Sequence, residues 1–165
     1  PVINIDLYPT LCEITGSPMP SDQVLDGVSL MPLLRGEKHQ LSDRALYWHF
    51  PAYLQSYQRI DEQRDPLFRS RPCSIIRYGQ WKLHEYFEDG ALELYDLSKD
   101  VGETTNLSQT NPRKAEELHQ MLIRWRASIN APIPATPNPH FSAQAEAEAM
   151  AKIKSKKKKR VKSSK

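Results

Sequence analysis

The sequence predicts an α+β fold in which a four-stranded antiparallel sheet is packed by one long C-terminal helix. Two patterns predict this arrangement. Short segments with strand-like composition follow one another across glycine turns in residues 73–96. A single apolar stripe with helical spacing then runs along residues 111–129. With 39% hydrophobic and 26% charged residues, the 165-residue chain has a globular composition, which excludes disorder throughout and a collagen-like fold.

The first residues are expected to contain two short helices. An apolar residue at every third or fourth position predicts a helix over residues 6–15, and the glycine that follows predicts its end. A second, very short helix is predicted from Ser29 to Arg35, before Gly36. We expect residues 1–36 to be the end of a domain that precedes this sequence. The apolar positions of the first helix are Leu7, Leu11 and Ile14.

The four strands are predicted from composition and turn chemistry. An aromatic-rich segment bounded by charged residues and by Pro51 indicates the first strand. The next two form a hairpin around Gly79-Gln80, and a turn at residues 88–90 precedes the last. The predicted strands are residues 45–50, 73–78, 81–87 and 91–96. Residues 51–72 are expected to be a long irregular loop, which is either functional or a floppy excursion.

The long helix is predicted to begin after Asn111, a favourable N-cap, with Pro112 at its first position. Its apolar stripe consists of Ala115, Leu118, Leu122, Trp125 and Ile129. Four prolines between residues 132 and 139 prevent its continuation, so we expect an extended arm and then a weak helix near residues 143–151. The predicted parts of the chain are residues 1–36, a sheet-and-helix domain of residues 37–130, and an arm with a tail of residues 131–165.

The charge of the chain is divided between an acidic body and a basic tail. Nine Lys and Arg lie beyond residue 150 with no acid among them, and without them 14 Lys and Arg face 20 Asp and Glu, a net charge of −6. A basic run of this kind can contact nucleic acid or another polyanion weakly through counterion release. The alternative is a solvated, disordered terminus.

Cysteine usage and hydropathy exclude several classes of protein. Cys12 and Cys73 lack C-x-x-C spacing and nearby paired histidines, which excludes a disulfide scaffold and a zinc module. No apolar run reaches the roughly 20 residues that cross a bilayer, so no membrane span is expected. Because the sequence opens with Pro1 and without an initiator methionine, we expect it to be a piece of a longer protein.

Six short phrases follow one another in unbroken order through residues 1–140. They are Asp6-Leu-Tyr-Pro-Thr-Leu, Leu25-Asp-Gly-Val-Ser-Leu-Met-Pro-Leu-Leu-Arg-Gly, Tyr47-Trp-His-Phe-Pro, Ile76-Arg-Tyr-Gly-Gln-Trp-Lys-Leu, Leu92-Glu-Leu-Tyr-Asp-Leu and Glu103-Thr-Thr-Asn-Leu. One such phrase is weak evidence, but six in sequence are specific. Together they resemble the C-terminal part of bacterial arylsulfatase A-like sulfatases.

The resemblance implies that the protein hydrolyses sulfate esters and that catalysis belongs to a part outside this sequence. Such sulfatases have a large α/β domain, similar to alkaline phosphatase, with a calcium or magnesium ion and a formylglycine made from the cysteine or serine of C-x-P-x-R. Neither Cys12 nor Cys73 lies in that motif. The resemblance therefore implies an inactive chain whose residues 1–36 pack on the catalytic domain, a sulfated carbohydrate or aryl sulfate as substrate, and a periplasmic or secreted parent enzyme.

Four residues are candidates for contact with that substrate, because of their chemistry and position. His49 closes the first predicted strand, where a side chain can face a cleft, and the alternative is a rim histidine satisfied by the fold. Tyr53 can stack on a ring, and arginines suit sulfate and carboxylate oxygens by their paired donors. The arginine candidates are Arg71 and Arg77, and for Arg77 the alternative is a cross-strand ion pair.

Two other interpretations of the whole chain remain open from the residues. The chain could be a free-standing, non-catalytic α+β binding module with a basic tail that seeks nucleic acid or another polyanion. It could also be an interaction domain that packs on another chain through the apolar face of residues 1–36. The acidic body and the absence of a recognised base-reading motif count against the first of these.

Overall fold

The computed structural model describes residues 1–38, 41, 43–55, 67–136 and 138–152. The chain forms two compact units, Pro1–Arg44 and Ala45–Lys165. None of the described helices combines the length and the hydrophobicity that a transmembrane span requires. The division of the chain at residues 36 and 130 stays a prediction.

The N-terminal unit contains both predicted helices. After one 3-10 turn, Asn4–Asp6, helix α1 spans Leu7–Thr15, and Gly16 ends it with a left-handed φ of 68°. Helix α2 spans Met31–Leu34 and is shorter than predicted. The predicted apolar positions of α1 face solvent. Their side chains are exposed to 54% at Leu7, 58% at Leu11 and 56% at Ile14.

One buried carboxylate holds the N-terminal unit together. Asp6 has no exposed surface and accepts hydrogen bonds from the backbone N–H of Ile3 at 3.0 Å and of Val28 at 3.1 Å. Its other partner is Arg44, whose Nη1 lies 2.7 Å from Oδ1 of Asp6. Burial opposes ionisation, but these hydrogen bonds and the charge of Arg44 outweigh it and lower the pKa of Asp6 to about 2.

The C-terminal unit contains the predicted four-stranded antiparallel sheet. The described strands of this unit, which form two sheets, are β1 (Ala45–Phe50), β2 (Leu54–Gln55), β3 (Phe68–Ser70), β4 (Cys73–Tyr78), β5 (Trp81–Tyr86) and β6 (Leu92–Asp96). The larger sheet has the order β1-β4-β5-β6 with every pair antiparallel. The predicted fold class is therefore confirmed.

The segment between β1 and β4 is more regular at its ends than the sequence predicts. Strands β2 and β3 form a separate two-stranded sheet, in which Leu54 pairs with Ser70 and Gln55 with Phe68. The prediction that residues 51–72 are irregular throughout is therefore wrong at Leu54–Gln55 and at Phe68–Ser70. Its middle, residues 56–66, lies outside the described residues.

Helix α3, Pro112–Ser128, covers one face of the larger sheet. The buried core consists of Ile76, Leu83 and Leu94 from the sheet and Ala115, Leu118 and Leu122 from the helix. Trp125 continues the predicted stripe and stacks on Tyr47, with ring centroids 4.6 Å apart and planes 4° apart. Ile129 was predicted to end the stripe, but it lies beyond the helix and is exposed.

After α3 the described chain continues to residue 152, and we call residues 129–152 the arm. Its first part has no helix or strand among the described residues, and residues 143–152 form a helix, α4. The predicted weak helix near residues 143–151 corresponds to α4. The Lys-rich run from residue 153 onwards lies outside the described residues.

Candidate functional site

The four residues predicted to contact substrate lie in three different surroundings. His49 lies opposite Ser74 and shares the face that α3 covers, because Tyr47 and Ile76 on that face reach the core. Arg77 lies opposite Leu46 and therefore belongs to the other face. The remaining two, Tyr53 and Arg71, lie before and after the two-stranded sheet and meet at one carboxylate, as described below.

Both ring nitrogens of His49 are bonded to the chain itself. Nε2 lies 2.8 Å from the carbonyl oxygen of Pro132, and a carbonyl only accepts, so Nε2 carries the proton and donates. Nδ1 lies 2.8 Å from Oγ of Ser74, which is fully buried. The ring is also tilted against Phe87, with centroids 5.7 Å apart. A ligand could bind a ring nitrogen of His49 only by replacing one of these partners.

Tyr53 and Arg71 belong to a group of four side chains that we call the Glu88 cluster, namely Tyr53, Phe68, Arg71 and Glu88. The hydroxyl of Tyr53 donates to Oε1 of Glu88, and Nη1 of Arg71 donates to Oε2. The ring of Phe68 contacts both, because its centre lies 4.8 Å from the centre of the Tyr53 ring and 5.5 Å from the guanidinium carbon of Arg71. One carboxylate thus fixes an aromatic ring and a guanidinium relative to each other.

In the Glu88 cluster, Tyr53 keeps its proton while its ring remains exposed. Burial and the hydrogen bond and charge of Glu88 raise the pKa of Tyr53 to about 12, so the phenol remains a neutral donor. The Tyr53 side chain is still 49% exposed. An exposed ring beside a guanidinium can stack on a sugar and bind its carboxylate or sulfate oxygens.

Glu88 was not singled out from the sequence. Glu88-Asp-Gly indicates a turn, and the turn is present between β5 and β6. Nothing in a turn signal tells which distant side chains its first residue contacts, since Tyr53 is 35 residues and Arg71 17 residues away along the chain. The sequence points to Glu88 only through its position, because this carboxylate directly follows the predicted strand of residues 81–87.

Arg77 borders a groove of about 450 Å³ on the sheet face opposite α3. Its neighbours across the strands are Leu46 and Lys82, so the described strands give it no cross-strand acid. Its Nε is buried and has no hydrogen-bond partner among the described residues. The acid in this groove is Glu103, which pairs instead with Nζ of Lys82 at 2.6 Å.

His84 is a further titratable group beside this groove, in addition to Lys82 and Glu103. Its Nε2 lies 3.1 Å from Oε2 of Glu103, and its ring meets Tyr95 edge-on at 5.8 Å. Burial and the charge of Lys82 lower the pKa of His84, and they outweigh the opposing effect of Glu103. His84 is therefore neutral near pH 7 and does not add to the positive charge that Arg77 supplies.

The sequence model of the family described as N-sulphoglucosamine sulphohydrolase, C-terminal, matches residues 1–128. This chain belongs to that sulfatase family. It is 38% identical over 144 residues to a sulfatase of Formosa agariphila, a match covering 79% of this chain and 24% of the relative. It is 32% identical over 123 residues to the Delta 4,5-hexuronate-2-O-sulfatase of Bacteroides thetaiotaomicron, covering 72% of this chain and 22% of the relative.

Solved structures give the same family and fold. The sulfatase chain resembles a 2-O GAG sulfatase with a TM-score of 0.54 and 28% identity, covering 76% of this chain and 25% of that chain. It resembles a protein solved in complex with its substrate D-glucosamine-2-N,6-O-disulfate with a TM-score of 0.56 and 26% identity, covering 79% of this chain and 25% of that chain. The family predicted from the six phrases is confirmed, and the chain spans about a quarter of the length of the relatives it matches.

The described residues of this sulfatase chain do not fit the family's cofactors. Cys12 is followed by neither the proline nor the arginine of the formylglycine motif. Cys73 has Arg77 at the position of the arginine but lacks the proline, and both thiols are buried. Burial raises the pKa of Cys73, against smaller opposing effects of Ser70 and Lys82, so its thiolate is disfavoured. No group of three or more His, Cys, Asp or Glu in the described part of the chain could hold a metal ion.

Proposed function

We propose that this chain is the C-terminal part of a sulfatase that hydrolyses sulfate esters of carbohydrates, and that it contacts substrate while another part of the protein cleaves the ester. The observation that carries this proposal is the family match over residues 1–128 in a chain without the nucleophile motif. The formylglycine and the calcium or magnesium ion would belong to the N-terminal part. Residues 1–36 would pack on it through the exposed face of α1.

Sulfated carbohydrate is favoured over aryl sulfate as the substrate class. One relative is named for a sulfated hexuronate, and one structural neighbour was solved with a disulfated glucosamine. The Glu88 cluster adds a physical reason, because an aromatic ring and a guanidinium side by side match a sugar ring that carries an anionic group. A simple aryl sulfate has no second anionic group for Arg71 to bind.

The four candidate residues would then contribute in different ways. Tyr53 and Arg71 would contact the sugar directly. His49 would act through the arm, because its Nε2 holds the Pro132 carbonyl. Arg77 would contact a sulfated group only through the groove on the opposite sheet face, where its Nε lacks a partner among the described residues.

The test is a comparison of substrates in the complete protein that contains this chain. Arg71→Gln should raise KM for a sulfated disaccharide about tenfold, because a hydrogen bond to a charged group contributes about 1.5 kcal/mol. It should leave hydrolysis of p-nitrophenyl sulfate unchanged. Arg113→Gln, on the exposed side of α3, is the matched control. If Arg71→Gln and Arg113→Gln behaved alike with every sulfated sugar tested, the substrate contact would be rejected.

The basic run beyond residue 150 supports a second, subsidiary role. We propose that its nine cations hold a polyanionic substrate weakly near the enzyme. Removal of residues 153–165, which contain eight of the nine cations, should then weaken binding to heparin and flatten its dependence on salt, with no change in hydrolysis of a short substrate. Equal salt dependence with and without the run would contradict this role.

A further inference from the structure

The arm returns to the body of the C-terminal unit at two points. Close to the end of α3, the Pro132 carbonyl accepts a hydrogen bond from Nε2 of His49. Farther along, in α4, Oε1 of Glu146 lies 3.2 Å from Nη2 of Arg71. The second contact places a carboxylate of the chain itself on the guanidinium that the proposed function assigns to substrate.

We propose that Glu146 is an internal occupant of an anion-binding position on Arg71, and that α4 is a cover that a carboxylate or sulfate group of the substrate displaces. This inference rests on the proposed contact between Arg71 and substrate. The chemistry matches, because the guanidinium presents flat pairs of donors that accept a carboxylate or a sulfate in the same way.

The geometry distinguishes the two carboxylates that bind Arg71 within the described part of the chain. Glu88 takes Nη1, accepts from Tyr53 as well, and lies in the turn between two strands of the sheet. Glu146 takes Nη2 and comes from a helix at the far end of the arm. Glu88 is therefore part of the fixed position, and Glu146 is the partner that can leave while the hydrogen bond from Tyr53 to Glu88 stays intact.

The contact with Glu146 is weak enough to be displaced. The side chains of Arg71 and Glu146 are 23% and 34% exposed, and ion pairs open to water contribute little to stability. Helix α4 has ten described residues, a length at which an isolated helix is marginal in water. The bond from His49 to Pro132 would keep the start of the arm in place while α4 leaves.

Binding of D-glucosamine-2-N,6-O-disulfate to the 165-residue chain tests the proposal. Glu146→Gln should tighten binding about twofold to fivefold, which is the factor that a partly exposed ion pair withholds. The control is Glu148→Gln in the same helix, where the carboxylate accepts from Gln144 at 3.1 Å, and it should leave binding unchanged. The bound sugar should also speed amide exchange in residues 143–152 of the wild-type chain.

The outcomes separate this inference from the proposed function. If Arg71→Gln abolishes binding but Glu146→Gln does not tighten it, the cover is rejected and the substrate contact stands. If Arg71→Gln leaves binding intact, the substrate contact fails, and the cover fails with it. Equal tightening by Glu146→Gln and Glu148→Gln would indicate a general effect of negative charge and would also reject the cover.

Discussion

Glu85 on β5 accepts a hydrogen bond from Nη1 of Arg126 on α3, within the interface between sheet and helix. Arg126 is only 7% exposed, and its guanidinium carbon lies 5.3 Å from the centre of the Phe87 ring. Nε2 of His119 lies 3.2 Å from the same oxygen of Glu85. Burial opposes ionisation of Glu85, but Arg126 and His119 outweigh it and lower the pKa of this carboxyl.

Glu85→Gln should reduce the free energy of unfolding of the C-terminal unit by about 3 kcal/mol, because it leaves the Arg126 charge buried without its partner. Chemical denaturation followed by circular dichroism measures the loss. Glu117→Gln is the control, since it breaks the exposed pair with Lys114 and should cost about 0.5 kcal/mol or less. Similar losses in the two variants would show that the buried pair of Glu85 and Arg126 contributes no more to the free energy of unfolding than the exposed pair.

Acid should destabilise the N-terminal unit in a defined range of pH. The pKa of Asp6 is about 2 in the fold and about 3.9 in an unfolded chain. A lowered folded pKa stabilises the unit fully above about pH 4, and this contribution falls away as pH drops toward 2. Amide exchange of α1, corrected for the intrinsic effect of pH, measures it.

Asp6→Asn should remove this acid dependence of α1, and Arg44→Gln should move the titration of Asp6 upward. Amide exchange of α1 measures the effect of Asp6→Asn, and the carboxyl carbon signal of Asp6 in NMR measures the effect of Arg44→Gln. A titration of Asp6 still near pH 2 in Arg44→Gln would contradict the assigned role of the guanidinium.

The two units should differ in protection against amide exchange. We expect residues 6–15 to exchange faster than β4, β5 and β6, because α1 exposes Leu7, Leu11 and Ile14 while the sheet has a buried core under α3. Native-state exchange of the 165-residue chain provides the measurement. Equal protection of α1 and the central strands would contradict it.

The chain alone should not hydrolyse p-nitrophenyl sulfate. Cys73 is buried and its thiol has a raised pKa, so it should also react slowly with iodoacetamide in the folded chain and quickly in urea. The complete protein should retain its activity when Cys73 is changed to Ala. Turnover by the chain that disappears in Cys73→Ala would overturn both the inactivity and the structural role of this cysteine.

The elements that the sequence predicts well are those whose signal is local. Gly16 and Gly79 have left-handed φ values of 68° and 57°, and the predicted end of α1 and the hairpin turn depend on such glycines. The apolar stripe of α3 follows from spacing alone. Strands β2 and β3 were missed because two- and three-residue strands have too few positions to show alternation.

The arrangement of the candidate site was less accessible, because it depends on side chains that are distant in sequence. Tyr53 and Arg71 were singled out one at a time, and only the fold shows that Glu88 joins them. The contact of Glu85 with Arg126 is intermediate between these two cases, because the sequence indicates it in part. Glu85 lies two residues after Leu83 and therefore on the core face of β5, where a glutamate requires a buried partner. Arg126, four residues after Leu122 on the helical stripe, is a candidate that spacing alone could have found.

The adjacency of β1 and β4 has a consequence for how such a domain can diversify. These strands pair directly, so the residues between them form an insertion at a hairpin connection, and its ends are held by the sheet. Doubling the length of such an insertion costs only about 0.6 kcal/mol in chain entropy. Relatives could therefore acquire new recognition loops at this connection while keeping the core of sheet and helix, and exchange of this segment between sulfatases is a rational route to altered selectivity.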